Sequence, residues 1–291
     1  MEKYLVWHIE GGLGKNVAAT ALTESLKFKY PDRKIIVVAS YPDVFINNPH
    51  IYRVYKIGMT SYFYDDYIRD KDTIVFRHEP YFETNHILKR KHLIENWCSL
   101  LDIDYDNQTP LLNFNLVQQR NATKWKGDLP TLVIQTNGGP FQSENPYSWT
   151  RDIPFDISMK IAQKYSATHQ IIQVCKQSSR KIPGAEIIDY QMEPMELFSV
   201  LILSDKRILI DSSLQHAAAA LKLTSTVLWI GTSPKIFGYS IHDNITANTP
   251  KNPIKLHNSY LFDYGFEGTH RECPYFSINE MFDIKNLIET I

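Results

Sequence analysis

The stretch Ile208-Leu209-Ile210-Asp211-Ser212-Ser213-Leu214-Gln215-His216-Ala217-Ala218-Ala219-Ala220-Leu221 changes character in its middle. An unbroken apolar run, the pattern of a parallel strand covered on both faces, gives way to small and apolar residues suited to a helix. Asp211 and the two serines stand at the changeover, where the first helical N–H groups lack intrahelical partners and the helix dipole favours an anion such as a diphosphate. His216 follows Ser212 and Ser213 at helical i+4 and i+3 spacing, on the same side of the helix. A serine N-cap and a satisfied core histidine would leave the same pattern. The next run, Thr226-Val227-Leu228-Trp229-Ile230-Gly231-Thr232-Ser233-Pro234, places a second strand and a small-residue loop alongside, which favours a site. Loops after the carboxyl ends of parallel strands are where such sheets bind ligands.

Outward from this stretch the alternation continues. Strands are expected at residues 131–135, 170–174, 186–188, 207–210 and 226–230, and helices at 157–165, 194–203 and 214–221. Residues 121–129 are polar and contain a glycine, as befits a connection. Upstream, an apolar strand at 4–9 runs into the glycine turn Gly11-Gly12-Leu13-Gly14, a helix from 16 to about 30 and a β-branched strand at 34–39. The runs at 51–57 and 73–76 extend that sheet, and 86–101 has helical spacing with a basic cluster, Lys89-Arg90-Lys91-His92. The expected class is α/β: two Rossmann-like, doubly wound domains facing across a cleft. Their expected extents are 1–122 and 130–262, with 263–291 as a C-terminal segment packing back on the N-terminal domain.

Composition narrows the function. A chain of 291 residues has room for two domains, and 43% hydrophobic residues suffice for a core in each, which excludes global disorder. Thirty-one Lys+Arg against thirty-two Asp+Glu leave no basic excess, so a whole-protein nucleic-acid footprint is absent. Cys98, Cys175 and Cys273 form no C-x-x-C pair, which argues against a disulfide framework or a cysteine zinc site and fits a reducing compartment. The N-terminus does not resemble a signal peptide and no apolar run approaches membrane-spanning length; the expectation is a soluble, cytoplasmic protein.

The glycine turn is not a Walker loop, because position 9, where that motif needs glycine, is Ile. Read as a dinucleotide fingerprint from Gly12, it has Val17 in place of the last glycine, and Val38-Ala39-Ser40 where an acidic residue should end the second strand. An NAD-dependent oxidoreductase is therefore the alternative rather than the expectation. The glycines still imply a sharp turn with N–H groups open to a ligand at a helix start.

Taken together, Asp211-Ser212-Ser213-x-x-His216, the run 226–234 and Phe237-Gly238-Tyr239 resemble the C-terminal signature of the heptosyltransferase family of glycosyltransferases, D-[ST]-G-x-x-H-x-x-A-A followed by a strand and G-P-T-x-P. The opening is similar as well, in Gly12-Leu13-Gly14-Lys15, Tyr30-Pro31, the strand 35–39 and Asn47-Asn48-Pro49, so the likeness covers most of the chain in order. It implies the GT-B fold and an inverting, metal-independent transfer from a nucleoside-diphosphate sugar, ADP-heptose being favoured, with no other cofactor. The implied acceptor is a lipopolysaccharide-core, lipid-linked or other glycan. A protein or a hydroxylated DNA base is the alternative acceptor, and a nucleotide-sugar-binding protein without activity is a further alternative.

Residue by residue, the resemblance implies that Gly12, Gly14, Asp211, Ser212, Ser213 and His216 hold the donor. Thr136, Asn137 and Gly138 match a loop at the β-phosphate, Lys176 a ribose contact, and Met192 a position whose backbone lies against the base. Two positions depart from the pattern. The aspartate that follows G-x-G in the family, its usual general base, is Lys15 here, so Glu10 becomes the candidate base with His8 as runner-up, and Lys15 a stabiliser of the departing phosphate. The basic residue that usually precedes the tryptophan near the phosphates is missing from Tyr147-Ser148-Trp149, and Arg151 is its expected substitute.

Overall fold

The computed structural model describes residues 1–251 and 273–291. From Tyr4 to Trp7 every residue of β1 (Lys3–Ile9) is buried, as an apolar run covered on both faces requires. It pairs in parallel with β2 (Lys34–Ala39) and β4 (Asp72–Phe76), and β2 pairs with β3 (Arg53–Lys56), giving the order β3-β2-β1-β4. Ile9 stands opposite Ala39, and Ala39 opposite Lys56, so the turns that follow these strands emerge at one edge of the sheet.

The second sheet is also wholly parallel, with β5 (Thr131–Gln135), β6 (Gln170–Val174), β7 (Glu186–Ile188), β8 (Lys206–Ile210), β9 (Thr226–Trp229) and β10 (Asp243–Thr246) in the order β10-β9-β8-β5-β6-β7. The order reverses between β5 and β8, and in the first sheet between β1 and β4. In open α/β sheets the crevice outside such a switch point is the ligand site.

The helices differ from their expected extents in informative ways. The expected helix from 16 to 30 starts earlier and is divided into α1 (Leu13–Ala19) and α2 (Thr23–Lys29) by a 3-10 turn at Thr20–Leu22. The Thr20 and Thr23 hydroxyls donate to the carbonyls of Val17 and Thr20, competing with regular helix, and Thr20 Oγ1 also accepts from the Leu111 N–H. After α3 (Phe63–Tyr67), the expected helix over 86–101 is likewise two, α4 (Thr84–Ile87) and α5 (Leu93–Leu101). Lys89 takes a left-handed φ of 53°, and His92 Nδ1 accepts from the Ile94 N–H to cap α5. The basic cluster thus lies in a connecting turn and not on a helix face.

The remaining helices are α6 (Leu116–Ala122), α7 (Phe155–Tyr165), α8 (Pro194–Ile202), α9 (Ser213–Ala220), α10 (Pro234–Phe237), α11 (Ile278–Met281) and α12 (Ile284–Thr290). The expected boundary at 262/263 lies outside the described residues. Residues 273–291 do not pack on the N-terminal half as expected. Met281, Phe282, Leu287 and Ile291 join the cluster of Ile134, Ile157 and Ile161, because α7 offers their apolar face a matching one. Lys164 Nζ donates to the Ile288 carbonyl at 2.6 Å to hold α12 there.

A single apolar cluster runs from Leu5, Trp7 and Trp97 to Phe198, Leu214 and Ala217, so the two sheets share a core where α1 packs on α9. Among the described residues no helix is long and apolar enough to cross a membrane.

Candidate functional site between the two sheets

The two switch points open into one cavity of about 590 Å³, within the range of small-molecule sites. The first half contributes Gly12 to Lys15, Ser40 to Asp43, Lys56 and Tyr81; the second contributes Asn137, Gly139 to Gln142, Arg151, Lys176, Met192, Asp211 to Ser213 and His216. Eleven residues singled out from the sequence therefore meet there: Gly12, Gly14, Lys15, Asn137, Arg151, Lys176, Met192, Asp211, Ser212, Ser213 and His216. Glu10, Thr136 and Gly138 are not among its lining.

At α9 the strand delivers what the sequence suggests. Ser212 is the N-cap residue, with extended backbone and no capping bond from its side chain; the Gln215 N–H donates to the Ser212 carbonyl at 3.2 Å, which leaves the Ser213 and Leu214 N–H groups without an intrahelical partner at a helix start where Ser212 and Ser213 line the cavity. Burial pushes the Asp211 carboxyl above its ordinary value, against the opposing pull of Arg151 and of the nearby Thr232 side chain. Arg151 thus stands beside the helix start. A Cβ placed on Gly138 would lie 3.8 Å from Arg151 Cζ and 3.7 Å from Ser212 Oγ, which locates all three at one corner.

His216 plays a different part from a cationic anion binder. It is buried, its Nδ1 lies 2.8 Å from the Tyr239 hydroxyl, and burial lowers its pKa to about 3. It is a neutral imidazole near pH 7, fixed by Tyr239, with the far edge of its ring beside Gly14. A Cβ on Gly14 would meet His216 Cδ2 at 3.0 Å and Ser213 Cα at 3.4 Å, so Gly14 marks the close approach between the halves.

The loop after β5 is organised by a residue the sequence did not single out. Asp152, almost fully buried, accepts from the Gly138 N–H (2.9 Å), the Asn137 side-chain amide (3.1 Å) and the Ser148 N–H (2.7 Å), with Lys176 Nζ at 3.5 Å. This corrects two expectations. The Gly138 N–H is spent on Asp152 and not open to a phosphate, and the Thr136 hydroxyl is shared between Asn137 and Gln173, facing a different cavity that Tyr147 and Phe155 also border. Lys176 lines the site, tied to the Asn145 carbonyl at 3.2 Å.

In the first half, Gly11 supplies the left-handed turn, at φ 101°. Lys15 is buried and bonded to Glu79, with its ammonium 5.0 Å from the Tyr81 ring centroid and 5.9 Å from that of Trp97. Burial lowers its pKa below the ordinary lysine value, against the opposing pull of Glu79. Glu10 does not fit the expected base. It is half exposed, lies outside the cavity lining and is bonded to Arg77 at 2.7 Å, which holds its carboxyl below the usual range and weakens it as a proton acceptor. His8 is a half-buried residue at the core edge, 3.5 Å from Glu10, with its pKa lowered by burial.

Glu79 and Tyr81 come to the site because β4 neighbours β1, which no local pattern reveals. Asp43 and Lys56 arrive likewise, by parallel register. A signal for Asp43 does exist in Tyr41-Pro42-Asp43, a turn just past a strand end.

No protein-family model matches the chain, and no curated protein resembles it in sequence. Solved structures do resemble it in fold. Heptosyltransferase II of E. coli, described as acting from ADP-heptose on lipopolysaccharide, superposes with a TM-score of 0.61 at 13% identity over 99% of this chain and 98% of that one. A glycosyl transferase family 9 protein of Veillonella parvula gives 0.63 at 12% identity, over 84% and 85%. TibC of enterotoxigenic E. coli, a dodecameric iron-containing heptosyltransferase solved with ADP-D-β-D-heptose, gives 0.65 at 14% identity, over 99% and 74%. The fold is therefore GT-B, two Rossmann-like domains with a cleft between them.

Proposed function

We propose that this chain is a glycosyltransferase of the heptosyltransferase family, which moves a sugar from a nucleoside diphosphate to an acceptor hydroxyl with inversion. The observation that carries the reading is the uncapped start of α9 at a switch point, with Arg151 beside it and the Gly12–Lys15 turn facing it across a closed-in cavity. Helix N–H groups and serine hydroxyls bind a diphosphate, and Arg151 and Lys176 meet the charge that grows on it as the glycosidic bond breaks. The reading assigns no part to a metal or further cofactor.

The second half, from residue 130, takes the donor and the first, residues 1–122, the acceptor. An ADP-heptose-like donor is favoured by the fold shared with TibC and by the order of the sequence motifs. A glycan is the favoured acceptor, and the cytoplasm the favoured compartment, since buried Cys98 and Cys175 stand free.

A thermal-shift panel of ADP, UDP, GDP, their sugars and NAD tests the reading. Ligand at a hundred times its Kd stabilises by about 2.7 kcal/mol, a shift of several degrees. Protection by one nucleoside diphosphate and its sugar is expected; protection by NAD alone would replace the reading with a dehydrogenase.

A further inference from the structure

If the donor diphosphate lies on α9, a single displacement with inversion brings the acceptor hydroxyl to the opposite face of the sugar, from the wall that the first half builds. Among the residues lining that wall there is one carboxylate, Asp43. Resting on the glycosyltransferase reading, we propose that Asp43 is the general base of this enzyme, taking the place of a carboxylate at the glycine turn, where Lys15 stands.

The other acidic groups near the site are engaged elsewhere. Glu10 is bonded to Arg77 outside the lining, and Glu79 is held by Lys15 while its second oxygen accepts from the Tyr81 N–H at 3.2 Å. Asp211 and Glu193 line the cavity from the second half, on the leaving-group side. Asp43, half-buried, makes no side-chain hydrogen bond or ion pair among the described residues, so its lone pairs are open to a proton.

Its position is built in. Asn16, fully buried, donates to the Gly11 and Gly12 carbonyls at 3.2 and 2.9 Å and accepts from the Tyr41 N–H at 3.4 Å, while the Ser40 N–H donates to the Ile9 carbonyl. These bonds tie the turn after β2 to the turn after β1. The 3-10 turn Pro42–Phe45 is then pinned by Val44 and Phe45, both in the core, and Phe45 stacks edge-on against Trp7. Asp43 thus sits on a rigid support beside the glycine turn, as a base must.

In the step itself the acceptor oxygen forms a bond to the anomeric carbon as the bond from that carbon to the phosphate oxygen breaks. The electron pair leaves with the diphosphate, and the hydroxyl proton passes to the Asp43 carboxylate and from there to solvent.

The test uses the full chain and ADP-heptose with water as acceptor, reading ADP release in single turnover and ADP affinity by calorimetry. Asp43→Asn should cut the rate about 100-fold or more, with the ADP Kd and Tm close to wild type. Added formate should restore part of the rate to Asp43→Ala, and Glu10→Gln should stay within twofold of wild type. An Asp43→Asn rate near wild type, or a loss matched by an equal loss of ADP affinity, overturns the assignment. A wild-type chain that neither binds ADP nor releases it from ADP-heptose overturns the glycosyltransferase reading instead, and Asp43 as its base with it.

Discussion

The two walls of the cavity are made in different ways. On the second-half wall the candidate groups are mostly backbone, the N–H groups at the start of α9 and the loop that Asp152 folds, with Arg151 and Lys176 set around them. The first-half wall is made of side chains: a buried ammonium where the resembling family has a carboxylate, a glutamate from β4's loop to balance it, and Asp43 on a turn two strands away. A site built from helix ends needs only the strand-to-helix geometry, so it leaves a durable sequence pattern. A site built from side chains can be moved to any strand end that reaches the same edge.

The largest effect that would test this contrast is at Asp152. Asp152→Ala leaves two N–H groups and the buried Lys176 without their carboxylate, and should cost about 3–5 kcal/mol in urea unfolding, with nucleotide affinity falling at least tenfold. A loss below about 1 kcal/mol would show that the loop holds its shape without it.

Next comes the seam between the walls, where His216 is neutral. Its folded pKa of about 3 lies below the unfolded value near 6.5, so between those values the unfolded chain binds more protons and stability falls as pH falls. His216→Gln should flatten the stability curve between pH 6.5 and 4 by up to about 1.4 kcal/mol per pH unit. An unchanged slope would assign the acid sensitivity to other buried histidines, such as His86, whose pKa burial lowers to about 4.

The smallest effect is at Gly14. Gly14→Ala puts a methyl 3.0 Å from a ring that Tyr239 keeps in place, which should cost about 1 kcal/mol and weaken nucleotide binding a few-fold. A neutral outcome in a denaturant titration would mean that the halves yield at this contact.

Legibility followed the same divide. The stretch 208–221 and the strands around it are readable because each apolar run and each helix start is a local pattern, and the runs at 131–135 and 207–210 form β5 and β8 of a parallel sheet. Helix continuity was not readable at Thr20 or Lys89, where a hydroxyl bonding back to a carbonyl and a left-handed residue break the period without changing the hydrophobic pattern. Glu10 is next to the glycines in sequence, yet it is paired with Arg77, from the loop after β4, and lies outside the cavity lining. Gly138 and Thr136 matched a phosphate loop by type, but their hydrogen bonds are spent on Asp152, Asn137 and Gln173.

By itself, then, the sequence determined the alternation of strands and helices, the two-part α/β plan and the strand-to-helix changeover at Asp211 to Ser213, since all of these depend on neighbours within one or two turns of chain. The tertiary structure alone decided which carboxylates face the cavity and which are neutralised, because that rests on strand order and register, which bring Asp43, Glu79 and Asp152 to positions that no spacing along the chain expresses.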